Sequence, residues 1–478
     1  MTPLMSMRDC LNDENLFASI LPGESWSAWR ILLIALVGEE LTPEERVVFT
    51  KLTQRVAEPR QFVEEFVGII GRRGGKSRAM SVLAAYIAAL CDHKDTTVPG
   101  ERPLVLVLAQ NQRQAAIEFS YICAIFDNVP MLAKLIVGRT ADTLKLSNGV
   151  SIEVRPANFR SLRGVTAIVV LADESCFWYN DESSLNADSE VFAAVRPCLA
   201  TTRGPLIIIS SPYARRGETW EIFNRHFGEK GDPLILVAQA SSRDTNPSLP
   251  QSVIDRAMER DPASASAEYG AQWRADIEAF LSREVIAAVT VRDRFELPYN
   301  RDIAYAAFID ASGGSGQDSM TMAIAHCDER RNDEETPHVI LDCIREVRPP
   351  FSPQSVVAEF CKTLGEYHVT DVGGDRWGGE FVREQFEQRG ISYECSELPK
   401  SDLYRELMPL LNSRNVELLD CPRMAAQFVG LERKTNRGSG KDVIDHMPGQ
   451  HDDLCNSATG ALLRASTGHS QDWIWRNL

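Results

Sequence analysis

The sequence predicts an α/β protein with two successive sheet-bearing domains, and three observations predict it. From about residue 61 to 240, short apolar runs alternate with stretches of helical period; from about 241 to 296 the alternation lapses; near Ile303 a second series of apolar runs begins. At 478 residues the chain is too long for one ordinary core, and its 44% hydrophobic content can fill several.

Residues 1–60 read as a helical lead-in. Their most apolar run, Ile31 to Val37, falls far short of the roughly 20 residues a membrane span needs, so it reads as a buried helix and no membrane is expected among the partners. Over 61–240 the runs Phe66 to Ile70, Leu104 to Ala109, Ile152 to Arg155, Ile168 to Ala172 and Leu206 to Ser210 read as strands. Between the first two, Met80, Leu83, Ala84, Ile87 and Leu90 recur at helical spacing. Such alternation implies a mostly parallel sheet with helices on both faces. Residues 241–296, broken by Asn246-Pro247 and Asp261-Pro262, read as a small helical linker subdomain. Residues 297–468 read as a second domain with a mixed sheet: Ala304 to Asp310, Thr321 to His326 and Val339 to Ile344, then a helix, then Val369 to Val372. The last stretch, 469–478, with Trp473 and Trp475, reads as a tail that either docks elsewhere or packs back.

A net charge of -16 argues against a generally sticky nucleic-acid binder, because phosphate attraction needs clustered Lys and Arg. Contact with nucleic acid must then be local. Candidate strips are Arg160 with Arg163, Arg215 with Arg216, and Arg433 to Lys441, each of which taken singly also reads as solvated surface. The eleven cysteines lack CxxC pairs and framework spacing, and no secretory signal precedes them, so they read as reduced thiols in a cytosolic setting.

The first domain carries a phosphate-binding pattern. Gly71-Arg72-Arg73-Gly74-Gly75-Lys76-Ser77 lies between a strand and a helix, where backbone N–H groups and the helix dipole both favour an anion. Lys76 would reach the terminal phosphates and Ser77 would ligate magnesium. The loop departs from GxxxxGK[ST] in one place: Ile70 stands where the first Gly belongs. Asp173 follows an apolar strand, at the edge where open α/β sheets collect ligands, and could hold the magnesium; Glu174 beside it could polarise water. Arg163, just upstream, is a candidate arginine finger, with Arg72 as an alternative charge in cis. Ser210 and Ser211 end another strand, where the terminal phosphate could be sensed.

The second domain carries a constellation of aspartates. Asp310 ends one strand pattern, Asp375 closes Asp371-Val372-Gly373-Gly374-Asp375, and Asp452-Asp453 open a helix whose Leu454, Ala458, Ala461 and Leu462 share an apolar face. Clustered carboxylates repel, and two magnesium or manganese ions about 3.5–4 Å apart relieve that repulsion while clamping the attacking and leaving oxygens of a phosphodiester. Strand, strand and helix is the ordering of an RNase H-like nuclease.

Taken together, these residues resemble the large subunit of the tailed-phage DNA-packaging terminase. The likeness spans roughly residues 60–465. It includes the short phosphate loop with Arg72 in second place, Leu162-Arg163-Gly164 ahead of Asp173-Glu174, and Ser210-Ser211-Pro212. It also includes Lys400-Ser401-Asp402-Leu403-Tyr404 before a helix, and His451-Asp452-Asp453-Leu454. The resemblance implies a P-loop ATPase joined to an RNase H-like endonuclease, using ATP, Mg2+ at the ATPase site and two Mg2+ or Mn2+ at the nuclease site. It implies double-stranded viral DNA as substrate, with a portal protein, a small terminase subunit and a homo-oligomeric ring, commonly of five, as partners. It places the chain in the host cytoplasm, transiently docked on the procapsid portal. It also implies that Arg163 acts between subunits, that Gln61 or Arg60 contacts adenine, and that Asp318 is an accessory acid. Which of Asp452 and Asp453 binds metal stays open. Two other readings remain: a helicase-nuclease of repair or restriction, which should carry a second motor core, and a docking subunit with vestigial sites, which should not turn over ATP.

Overall fold

The computed structural model describes residues 1–94, 101–158, 162, 164–178, 187–274, 276–328, 330–331, 336–375, 379–435, 442–447 and 450–476, excluding the side chains of 187, 379–381, 435 and 468–476. Two compact units divide the chain between Arg274 and Asp276. The stretch 241–296 is therefore shared between the units. No helix among the described residues is long and apolar enough to cross a membrane.

In the first unit an eight-stranded sheet runs in the order 235–240, 65–70, 206–210, 167–173, 104–109, 151–156, 143–146, 136–139. The first six are parallel, and the last two join antiparallel. Strand residues alternate between two cores, as the two-residue period of a strand requires. Val105 and Val107 pack with the helices Ser27–Leu36, Lys76–Leu90 and Gln112–Asn128. Leu104, Leu106 and Leu108 pack on the other face with Val191, Phe192 and Val195 of Ala187–Leu199. Both faces are thus covered, and polar groups gather at the carboxyl ends of the strands. Residues 1–60 are helical in large part, and Trp29 and Ile31 to Leu36 are buried in the same core as the loop helix.

In the second unit a six-stranded mixed sheet has the order 392–395, 371–374, 305–310, 320–327, 339–347, 416–417. Strand 305–310 is parallel to 371–374 and antiparallel to 320–327, so Asp310 and Gly374 finish at the same edge. Helix Asp453–Arg476 lies on one face, with Leu454, Ala458, Ala461 and Leu462 buried against Phe308, Ala323 and Ala325. Helix Pro353–Glu366 covers the other through Val356, Val357, Phe360 and Leu364. A small antiparallel sheet joins 277–279, 431–435 and 442–446. The flanks of the basic stretch 433–441 therefore pair as a hairpin, and its tip, 436–441, lies outside the described residues.

Candidate active sites

The loop after strand Glu65–Ile70 turns on two left-handed residues, Arg73 at φ 62° and Gly75 at φ 84°. Its glycines are sterically required. A Cβ on Gly75 would come within 2.8 Å of Trp26, and one on Gly74 within 2.6 Å of the Thr245 hydroxyl. The indole N–H of buried Trp29 donates to the Gly74 carbonyl at 2.6 Å. The Ser242 hydroxyl donates to the Arg72 carbonyl at 2.6 Å, and the Asn246 amide to the Arg73 carbonyl at 2.9 Å. Three loop carbonyls are thereby held, while the Gly71, Arg72 and Gly74 N–H groups donate to the Ala240, Glu268 and Gly71 carbonyls.

Lys76 is buried at the first turn of Lys76–Leu90. Its ammonium donates to the Ile70 carbonyl at 3.1 Å and the Ser211 hydroxyl at 2.7 Å, and pairs with Glu174 Oε1 at 2.9 Å. Glu174 sits in the left-handed region at φ 52°. Its Oε2 accepts from the Ser211 backbone N–H at 2.8 Å and the Ser210 hydroxyl at 3.2 Å. The two strand-end serines thus bind both members of the ion pair. Asp173 ends strand Ala167–Asp173, and burial, then Glu118 and Glu174, hold its carboxyl well above the ordinary range despite Lys76.

Glu118 was not legible as a site residue. It lies in the middle of Gln112–Asn128, is 5% exposed, and burial pushes it up to about 7, with the Ser77 side chain and Lys76 opposing and Glu174 adding to the rise. Three carboxylates therefore share one lysine. Arg72 is instead paired at the surface with Glu268 at 3.1 Å. Gln61 is not brought to the loop. It is exposed and precedes strand Glu65–Ile70, whose six residues at roughly 3.3 Å each set it about 20 Å from the loop. Arg60 lies at the same end of the strand. Arg163 and Arg160 lie outside the described residues.

In the second unit Asp310, Asp375, Asp452, Asp453 and Asp318 line one cavity of about 730 Å³ together with Lys400. Glycines let the elements close on it. A Cβ on Gly374 would overlap the Tyr393 hydroxyl, and one on Gly460 would overlap the Phe308 ring. Arg464 ties the helix to the sheet through Asp371 at 2.5 Å and Glu394 at 3.0 Å.

The acids are not equivalent. Asp310 accepts from the Asn456 amide at 2.8 Å, and burial followed by Asp375 holds it well above the ordinary range. Asp453 accepts from the Ser319 backbone N–H at 2.8 Å, and burial pushes it up to about 6. Asp452, 4% exposed, accepts from Lys400 at 2.9 Å and from the Tyr404 hydroxyl at 2.9 Å. Burial works against the charge of Lys400, but Asp452 and Asp445 together outweigh it and the ammonium titrates above its ordinary value. Asp318 is exposed and bonds His451 at 3.0 Å. Asp318, His451 and Asp453 present ligand atoms within 4.8 Å of one another, as do Asp445, His446 and Asp452.

Both donor sets fit cations. Oxygen ligands from carboxylates and a hydroxyl suit magnesium and manganese, and in each site burial and neighbouring acids raise a carboxyl that a bound cation would return to its charged form.

No protein-family model matches the chain, and no curated protein does. Among solved structures the chain is similar to the large terminase of bacteriophage HK97, with 17% identity, 90% of this chain and 98% of that one covered, and a TM-score of 0.38. It is similar to the large terminase of a thermophilic bacteriophage, with 15% identity, 87% and 97% covered, and a TM-score of 0.37. The magnesium-bound large terminase nuclease of thermophilic phage G20c matches over 39% of this chain and 99% of its own, at 18% identity and a TM-score of 0.31.

Proposed function

We propose that the chain is a terminase large subunit: an ATPase that drives double-stranded viral DNA into a procapsid and a metal-dependent endonuclease that cuts the concatemer. The observation that carries this reading is the presence in one chain of two different phosphate chemistries. One is a loop lysine paired with a strand-end glutamate at 2.9 Å; the other is a cavity lined by five aspartates.

In the first unit the loop N–H groups and Lys76 bind the terminal phosphates of ATP, and Lys76 exchanges Glu174 for phosphate when nucleotide arrives. Glu174, so released, orients and deprotonates the attacking water. Ser77 and Asp173 would hold Mg2+, which neutralises phosphate charge when bound. Ser211, bonded to both Lys76 and Glu174, and Ser210, bonded to Glu174, carry the exchange into the sheet. Arg163 is the finger offered to a neighbouring subunit in a ring of five.

In the second unit Asp310 and Asp375, with one of the Asp452-Asp453 pair, would hold two Mg2+ or Mn2+ ions, which clamp the attacking and leaving oxygens when bound. Asn456 fixes the orientation of Asp310, and Asp318 is an accessory acid at the rim. A portal protein and a small terminase subunit are the proposed partners, and the host cytoplasm, with docking on the procapsid, the proposed setting.

A crossed assay tests the reading. Lys76→Ala should lower ATP turnover by about a hundredfold or more while Mn2+-dependent plasmid cleavage continues, and Asp310→Ala should do the reverse. Cleavage at full rate by Asp310→Ala contradicts the nuclease half; turnover at full rate by Lys76→Ala contradicts the motor half.

A further inference from the structure

Asp452 lies just before helix Asp453–Arg476 and Asp453 is its first residue. Asp452 and Asp453 are engaged by different partners. Both oxygens of Asp452 are committed: Lys400 lies 3.2 Å from Oδ1 and 2.9 Å from Oδ2, and the Tyr404 hydroxyl donates to Oδ2 at 2.9 Å. Lys400 is fixed from a second side by Asp445 at 2.9 Å, yet its side chain keeps 34% exposure and lines the cavity. Asp453 differs. Its Oδ2 takes one backbone N–H, and among the described residues Oδ1 takes no hydrogen bond.

We propose that the two aspartates divide the work: Asp453 completes the metal site with Asp310 and Asp375, whereas Asp452 is the counter-ion that holds Lys400 on the cavity wall, where its ammonium binds a phosphate of the strand being cut. This assignment rests on the reading of the cavity as a phosphodiester-cleaving site. A metal ion seeking Asp452 would have to displace an ammonium already shared by two carboxylates, whereas one seeking Asp453 displaces nothing from Oδ1. Lys400 meanwhile supplies a point charge of the kind that phosphate sites use.

The test measures Mn2+ binding by titration calorimetry and cleavage of labelled duplex DNA, in the full chain and its variants. Asp453→Asn should weaken Mn2+ binding by about tenfold or more. Asp452→Asn and Lys400→Met should keep the Mn2+ stoichiometry and affinity of the parent but lose about a hundredfold in cleavage at saturating Mn2+, and Lys400→Arg should recover part of that loss. Loss of Mn2+ by Asp452→Asn to the same extent as by Asp453→Asn overturns the assignment, as does tighter Mn2+ binding or full-rate cleavage by Lys400→Met. A parent chain that shows no Mn2+-dependent cleavage overturns the nuclease reading itself, and the assignment with it.

Discussion

A carboxylate buried in the middle of a helix, as Glu118 is, costs stability when it must be charged. Its folded value near 7 lies above the ordinary 4.5. Its contribution to stability is therefore fully present below about pH 4.5 and is lost as pH rises through 7. Glu118→Gln removes that dependence. Without nucleotide, the variant should melt about 2–4 °C above the parent at pH 8, and the difference should shrink toward pH 5, as differential scanning calorimetry can read. A parent whose melting point does not fall relative to the variant between those values contradicts the placement of Glu118. The candidacy of Lys76, Ser77, Asp173 and Glu174 was legible because it rests on their neighbours in sequence. Glu118, Trp29 and Asn456 were not, because a glutamate at mid-helix reads as surface charge until Ser77 is seen beside it. Gln61 misled for the opposite reason: proximity in sequence to the loop became distance along a strand.

Elements position these residues by close approach. Helix Asp453–Arg476 lies so near strand Tyr305–Asp310 that Gly460 has no room for a methyl group beside Phe308. Gly460→Ala should therefore push the helix off the strand that carries Asp310. We expect a loss of about 1–3 kcal/mol in stability by denaturant unfolding, with DNA cleavage falling more than ATP turnover. Equal loss of both activities, or of neither, contradicts this account of the packing. The central strands were legible from their apolar runs, most of them to about a residue at either end, but Val339 to Ile344 continues to Val347 and Val369 to Val372 is displaced by two residues, to Asp371–Gly374. Strands 136–139 and 143–146 were missed because they are short and partly exposed, with a polar face that reads as loop. Strand 235–240, though apolar, lies at the sheet edge just before the alternation lapses.

At the scale of the whole chain, two units each place acids and a lysine at the carboxyl ends of their central strands, as open sheets favour. The strand pattern lapses after residue 240, where the last strand of the first sheet ends, whereas the chain divides between Arg274 and Asp276. Helices Gln251–Arg260 and Pro262–Glu268 stay with the first unit, where Glu268 and Ser242 hold the phosphate loop. Sequence periodicity reports the elements and is silent on which core receives them. The central claim is that one chain binds cations for two separate phosphate reactions. Its most direct test is a crystal of the full chain grown with a non-hydrolysable ATP analogue and Mn2+, in which anomalous scattering locates the metal. The account predicts Mn2+ beside Ser77 and Asp173 with the analogue's phosphates at Lys76, and Mn2+ among Asp310, Asp375 and Asp453. Manganese absent from either position, with the analogue bound away from the Gly71–Ser77 loop, would contradict it.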